Sequence, residues 1–251
     1  MRSRRRLIGS ILLALLALML TGCTAEDALL TERFMAPLES EPEWGAAVQL
    51  LVILTLASFA TAILTLMTGF TRIVIVLSFV RNAVGTPQTP PTQVIIGLSL
   101  ILTFFVMAPV WNDINQNALR PYLEEQIPQY EALNRVEQSM REFMFRQTRE
   151  KDLALFVHLA DMEQPDTPAD VPTHVLIPSY VISELRTAFQ MGFVLFVPFL
   201  VIDLVVSSML MAMGMMMLPP SMISLPFKIL LFVMVDGWHV IVRSLVESFA
   251  I

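Results

Sequence analysis

"MAMGMMMLPP" (Met211–Pro220) is the stretch that decides how the second half of the chain is read. Methionine is a flexible, polarizable gap-filler, and one at a time it carries little information. Met215, Met216 and Met217 are consecutive. Consecutive residues on a helix point about 100° apart, so one packed face cannot use all three. Gly214 lets the backbone bend, and Pro219-Pro220 stops a helix. The three methionines are therefore expected on a turn between two apolar runs. Turns between spans are normally polar, whereas an apolar one must be buried against other chains or line a dry constriction. The simpler alternative is packing alone, because methionine is common in membrane cores.

The apolar runs follow outward from that turn. Before it lies Thr187–Leu218, interrupted only by Asp203, and after it Ile229–Val246, which includes Asp236 and His239. Near the other end, no charge occurs from Trp44 to Thr71, and Ala46–Phe70 is long enough to span with some tilt. Arg72 and Arg81 bracket a short apolar stretch that ends in a Gly/Pro cluster. It is too short to cross as helix and is expected to be re-entrant or buried against protein. Pro90 or Pro91 is placed to start the next helix, whose apolar run is Val94–Val110.

Trp111–Arg186 differs in kind, with thirteen acidic and seven basic residues and amphipathic spacing at Leu133, Val136, Met140 and Phe143. With the proline-rich "QPDTPADVPTHVLIP" (Gln164–Pro178), it reads as a small, mainly helical extramembrane domain. Composition agrees with this division. The 251 residues are 55% apolar and 15% charged, against about 25% charged in ordinary soluble domains, and mean hydropathy is +0.67. The net charge of −6 gives no support to nucleic-acid binding. One cysteine, Cys23, excludes an internal disulfide and a cysteine-based zinc site.

"MRSRRRLIGSILLALLALMLTGC" (Met1–Cys23) has the basic, apolar and small-residue order of a secretory signal peptide. Leu20–Cys23 also resembles a lipobox, which makes Cys23 a candidate lipidation site; a chance cysteine beside an ordinary cleavage site is the other reading. The expected organisation is a signal peptide over 1–22 and an acidic periplasmic segment over 23–43. A first apolar helical hairpin region over 44–111, a periplasmic, mainly helical domain over 112–186 and a second apolar hairpin over 187–251 follow. Arg72, Arg81 and Lys228 mark the cytoplasmic side by the positive-inside rule. The acidic N-terminus, the outer domain and the C-terminus then lie outside.

Arg72, Arg81, Asp203, Lys228 and Asp236 are the charges within or beside apolar runs, where they are expected to be buried and to face a bundle interior or a water path. Asp203 and Asp236 could serve a proton relay, but two isolated acids without a polar helix stripe make a poor one. The favoured reading is that Asp203 and Lys228 satisfy each other or backbone groups between helices. His158, His174 and His239 are scattered, and neither a Gly-rich phosphate loop nor a G-x-S-x-G motif occurs. No catalytic residue, metal or cofactor is expected, and the chain does not read as an enzyme.

Three long strings resemble the FliP family of flagellar type III export-gate proteins. They are "TGFTRIVIVLSFVRNAVGTPQTPPTQVIIGLSLILTFFVMAP" (Thr68–Pro109), "PSYVISELRTAFQMGF" (Pro178–Phe193) and "FVPFLVIDLVVSSMLMAMGMMMLPPSMISLPFKILLFVMVDGW" (Phe196–Trp238). The likeness covers the chain from about Trp44 onward. It implies an all-α, membrane-associated fold of helical hairpins with broken apolar helices, assembling into a ring-like oligomeric pore at the flagellar basal body in the bacterial inner membrane. It further implies five copies, FliQ-like and FliR-like partners, other flagellar export apparatus proteins and unfolded exported subunits. In that family a methionine-rich loop acts as a pore gasket, and the matching residues are Met215, Met216 and Met217, with Gly214, Pro219 and Pro220 forming the bend. The competing readings are a virulence type III export gate, a small-ion transporter using Asp203 and Asp236, and a scaffold without a pore role.

The N-terminal reading has a direct check. Mass spectrometry of membrane-extracted protein should find a chain beginning near Cys23, and a diacylglyceryl mass on Cys23 would establish acylation. An intact Met1 or Arg2 terminus would refute cleavage.

Overall fold

The computed structural model describes residues 51, 54, 55, 58, 59, 61–163, 165, 167–215 and 218–249. The expectations for the signal segment, Cys23, the acidic segment 23–43, most of the first apolar run before residue 61, and Met216 and Met217 lie outside the described residues. The chain divides into two compact units, residues 1–59 and 60–251. In the first, the described residues are helical, and the hydroxyls of Thr55 and Ser58 donate to the carbonyls of Leu51 and Leu54 at 2.7 and 2.9 Å.

The second unit is all-helical among the described residues, with no strand. It begins with α1 (Thr61–Met67) and α2 (Phe70–Val84), which are bent 75° from each other. At the joint, the Thr68 hydroxyl donates to the Leu64 carbonyl and accepts the Phe70 N–H at 3.3 Å, satisfying backbone groups that the break frees. The run expected to reach Phe70 as one span is therefore broken at Thr68-Gly69. Along α2, Arg72, Ile73, Val76, Leu77 and Val80 are buried, a one-face helical spacing. That face packs on α6, so the short stretch between Arg72 and Arg81 is indeed buried against protein.

Next come α3 (Thr92–Ile114), α4 (Gln129–Gln147), α5 (Glu150–Leu159), α6 (Thr173–Ala212), α7 (Pro220–Met234) and α8 (Gly237–Glu247). Pro91 precedes the first turn of α3. A π-helical turn, Asn115–Leu119, and the helical turn Arg120–Leu123 extend α3 into a continuous rod from Thr92 to Leu123. The expected border at residue 111 falls inside that rod. Within α4, Met140, Phe143 and Met144 are buried while Leu133 is exposed, so the amphipathic face engages only in its second half.

α6 is the spine on which α2, α4, α5 and α7 pack. Its 40 residues give a rod of about 60 Å at the α-helical rise, roughly twice the thickness of a bilayer's hydrocarbon core. One helix must therefore serve two environments. Its first turns meet polar partners: the Thr173 hydroxyl accepts from Arg141 at 2.6 Å, and that of Ser183 donates to Asp152 at 2.7 Å. After Arg186, Asp203 is its only charge. The expected border between residues 186 and 187 falls inside this one helix. Only 11% of α6's most apolar window is buried within the chain. Phe193, Val194, Leu204 and Val205 on α6, and Val94, Ile101, Phe104 and Phe105 on α3, are all exposed. A surface so apolar needs lipid or another protein against it.

Among the described residues, the expected run Val94–Val110 and most of Thr187–Leu218 lie on helices long enough to cross a membrane, and the bent pairs α1–α2 and α7–α8 are long and apolar enough only when each pair is taken together. Among the described residues, one ion pair is buried on both sides, and it ties α2 to α6. Arg72 Nε donates to Glu184 Oε2 at 2.9 Å, and a second guanidinium nitrogen donates to Glu184 Oε1, with the side chains 2% and 0% exposed. Removing one partner strands the other charge. Glu184→Ala should destabilise the protein by about 3–5 kcal/mol, seen as a lowered thermal midpoint in detergent. The double variant Arg72→Leu/Glu184→Leu should recover much of the loss.

Candidate functional site

The α6–α7 hairpin carries the methionine turn. α6 ends in a Schellman motif: Gly214 N–H donates to the Met211 carbonyl at 3.0 Å and Met215 N–H to the Leu210 carbonyl at 2.9 Å. Gly214 has φ +74°, the left-handed conformation this ending needs and one that glycine adopts without a Cβ penalty. Pro219 and Pro220 then open α7, with Pro220 at its first position, where a missing N–H costs nothing. The expected bend at Gly214, Pro219 and Pro220 is present, and Met209, Met211, Met213 and Met215 are all exposed around it.

Behind the turn, α6 and α7 are tied by a compact polar bridge. Lys228 Nζ lies 2.6 Å from Asp203 Oδ2, and the Ser224 hydroxyl donates to Asp203 Oδ1 at 2.5 Å. Ser224 and Lys228 are four residues apart on α7, so both reach the same carboxylate from one face. The Lys228 side chain is 7% exposed and that of Asp203 35%. Along the same two helices runs an apolar groove of about 410 Å³, lined by Val201, Val205, Met209, Met213, Ile223 and Phe227 among others. The hairpin therefore has a braced base and, among the described residues, exposed apolar side chains at its tip, Met213, Met215 and Leu218.

The remaining expected charges are not gathered here. Arg72 is buried with Glu184, far along the sequence from the turn. Two expected burials are corrected within this chain. Arg81 is only half-buried, with Nη1 donating to the Thr92 hydroxyl at 3.1 Å, because it sits in the last turn of α2 beside the Gly85–Pro91 loop. Asp236 is exposed, because it forms the break between α7 and α8, at φ +50° with the helices 63° apart. Asp tolerates that conformation better than most residues, so a carboxylate inside an apolar run here marks a bend. Among the described residues, no cluster of His, Cys, Asp or Glu could hold a metal.

Sequence reasoning missed Glu184 as the partner of Arg72. The available signal was a lone acid in the apolar "YVISELRTAF" (Tyr180–Phe189), flanked by the small residue Ser183.

The sequence pattern of the FliP family matches residues 53–245. The chain belongs to the FliP family. A flagellar biosynthetic protein FliP from Bacillus subtilis is 57% identical over 211 residues, covering 84% of this chain and 96% of that protein. The FliP of Pectobacterium carotovorum is 56% identical over 206 residues, with 82% and 80% covered, and that of Aquifex aeolicus 48% over 205 residues, with 81% and 86%. The matched FliP region takes in the bent pair α1–α2, the spine α6 and the methionine hairpin.

The Asp203–Lys228 bridge separates bracing from ion carriage. Asp203→Ala should cost about 3 kcal/mol, near the low end for a broken buried pair because the carboxylate is partly exposed. Asp203→Leu/Lys228→Met should regain complex yield and swimming motility. Regained yield without motility would instead assign the charges a direct role in transport.

Proposed function

We propose that this chain is a pore subunit of the flagellar type III protein export gate in the bacterial inner membrane. Five copies, the number implied by the family resemblance, would join FliQ-like and FliR-like subunits and other export apparatus proteins, passing unfolded flagellar proteins outward. The helical segment α4–α5 would stand on the periplasmic side. The methionine turn, Met215 with Met216 and Met217, would form the gasket. The relatives named flagellar biosynthetic protein FliP support the flagellar assignment over a virulence gate.

The single observation that carries the reading is the α6–α7 hairpin. It exposes soft apolar side chains at a turn, where an isolated span would place polar ones. A gate has to pass chains of any sequence and still hold back ions between passages. Unbranched thioethers repack around varied side chains and close again afterwards, and a dry apolar constriction blocks ions by dewetting. The ion-transporter alternative draws no support from the geometry, because Asp203 is engaged by Lys228 and Ser224 and Asp236 lies at a separate bend.

Replacing Met215, Met216 and Met217 together with alanine tests the gasket. Complex abundance, membrane ion conductance and subunit export are measured in one strain. The expected result is normal abundance, continued export and an ion leak. Packing alone predicts something else, since each buried Met→Ala change costs about 2–5 kcal/mol in a core: depleted complex and reduced export, without a leak. Normal abundance, normal export and a tight membrane would refute the gasket.

A further inference from the structure

We propose that Ser248–Phe249, the segment after α8, is a clamp that holds α8 in place by closing over the buried Arg72. α8 packs chiefly on α7, from which it departs at the Asp236 bend, so its near end is a pivot. Its far end is fixed by a different set of contacts. Arg72 Nη1 donates to both the carbonyl and the hydroxyl of Ser248 at 3.0 Å. The Phe249 ring lies 4.0 Å from the Arg72 guanidinium carbon, a cation–π stack. Gln147, at the end of α4, accepts from Arg72 Nη2 at 3.0 Å and donates through Nε2 to the Phe249 carbonyl at 2.9 Å. Phe249 itself is 2% exposed.

The seat for that ring is shaped by Gly69, at the joint between α1 and α2. A Cβ on Gly69 would fall 2.7 Å from Phe249 Cζ, closer than real contacts allow. The guanidinium explains why the segment closes there. An arginine offers five N–H donors, and Arg72 makes five hydrogen bonds: two to Glu184, one to Gln147 and two to Ser248. With the segment displaced, an arginine that is 2% exposed would lose two of its partners and its stacking face. The clamp therefore couples α8 to α2, α4 and α6 through one side chain, although Arg72 and Ser248 are 176 residues apart.

Hydrogen exchange read by mass spectrometry on the full chain, in the detergent-extracted complex, tests this. Phe249→Ala removes the ring, and Gly69→Ala leaves the ring intact but fills its seat. In both variants, amides of residues 237–249 should exchange at least tenfold faster than in the wild type, while those of α5 (150–159) keep wild-type rates. Wild-type exchange across 237–249 in either variant would overturn the clamp. Faster exchange throughout the chain would overturn it too, since the segment would then be part of the global core and not a local fastening.

Discussion

A guanidinium cannot lose its water without replacing every hydrogen bond it had, and the second unit of this chain is arranged around that constraint. Arg72 is buried on the same helix face as the buried Ile73, Val76 and Leu77. Its donors are met from three sequence-distant places, by Glu184 on α6, Gln147 at the end of α4 and Ser248 after α8. An ion pair buried this deeply gains little over apolar packing of the same shape, because desolvation offsets the attraction. What it supplies is register. Each partner has one position from which it can reach the planar guanidinium, so the bent pair α1–α2 and the spine α6 meet at one depth and rotation.

α6 then converts that register into a division of environments. Its first third is braced to α4 and α5 by Arg141, Thr173, Asp152 and Ser183, which need water or polar partners nearby. Its last two dozen residues carry one charge, and Lys228 and Ser224 meet it. α6 runs from Glu184, which meets the buried arginine, to the methionine turn, with Pro198 inside it between the two. The braced hairpin base leaves softness at the tip, where Gly214 ends one helix and Pro219 and Pro220 begin the next.

The family match over residues 53–245 takes in the strings that carry these features. "TGFTRIVIVLSFV" (Thr68–Val80) contains both the joint at Gly69 and the buried Arg72, and "FVPFLVID" (Phe196–Asp203) carries the hairpin's acid. The matched region thus includes the helix ends, close approaches and charge partners that place the apolar surfaces, and not just those surfaces themselves. The bare faces of α3 and α6 are what such a scaffold presents outward.

The sequence alone pointed to apolar helices, a bend at Gly214 and Asp203 and Lys228 as charges satisfied between helices, and it left the stretch after Arg72 as either re-entrant or buried against protein. Those properties are local, or involve an acid and a base in adjacent runs, and helical periodicity, turn residues and charge cost report on them directly. The partner of Arg72, the break at Thr68-Gly69, the continuity of α6 across residue 186 and the exposure of Asp236 were decided only by the tertiary structure. Glu184 lies 112 residues from Arg72, and no spacing rule links residues that far apart. Hydropathy records where polarity changes, whereas a helix breaks where backbone hydrogen bonds find other partners. A carboxylate in an apolar run looks the same in sequence whether it closes a partly buried ion pair, as Asp203 does, or turns a corner, as Asp236 does. Which of the two it does depends on whether packing brings a cation within reach.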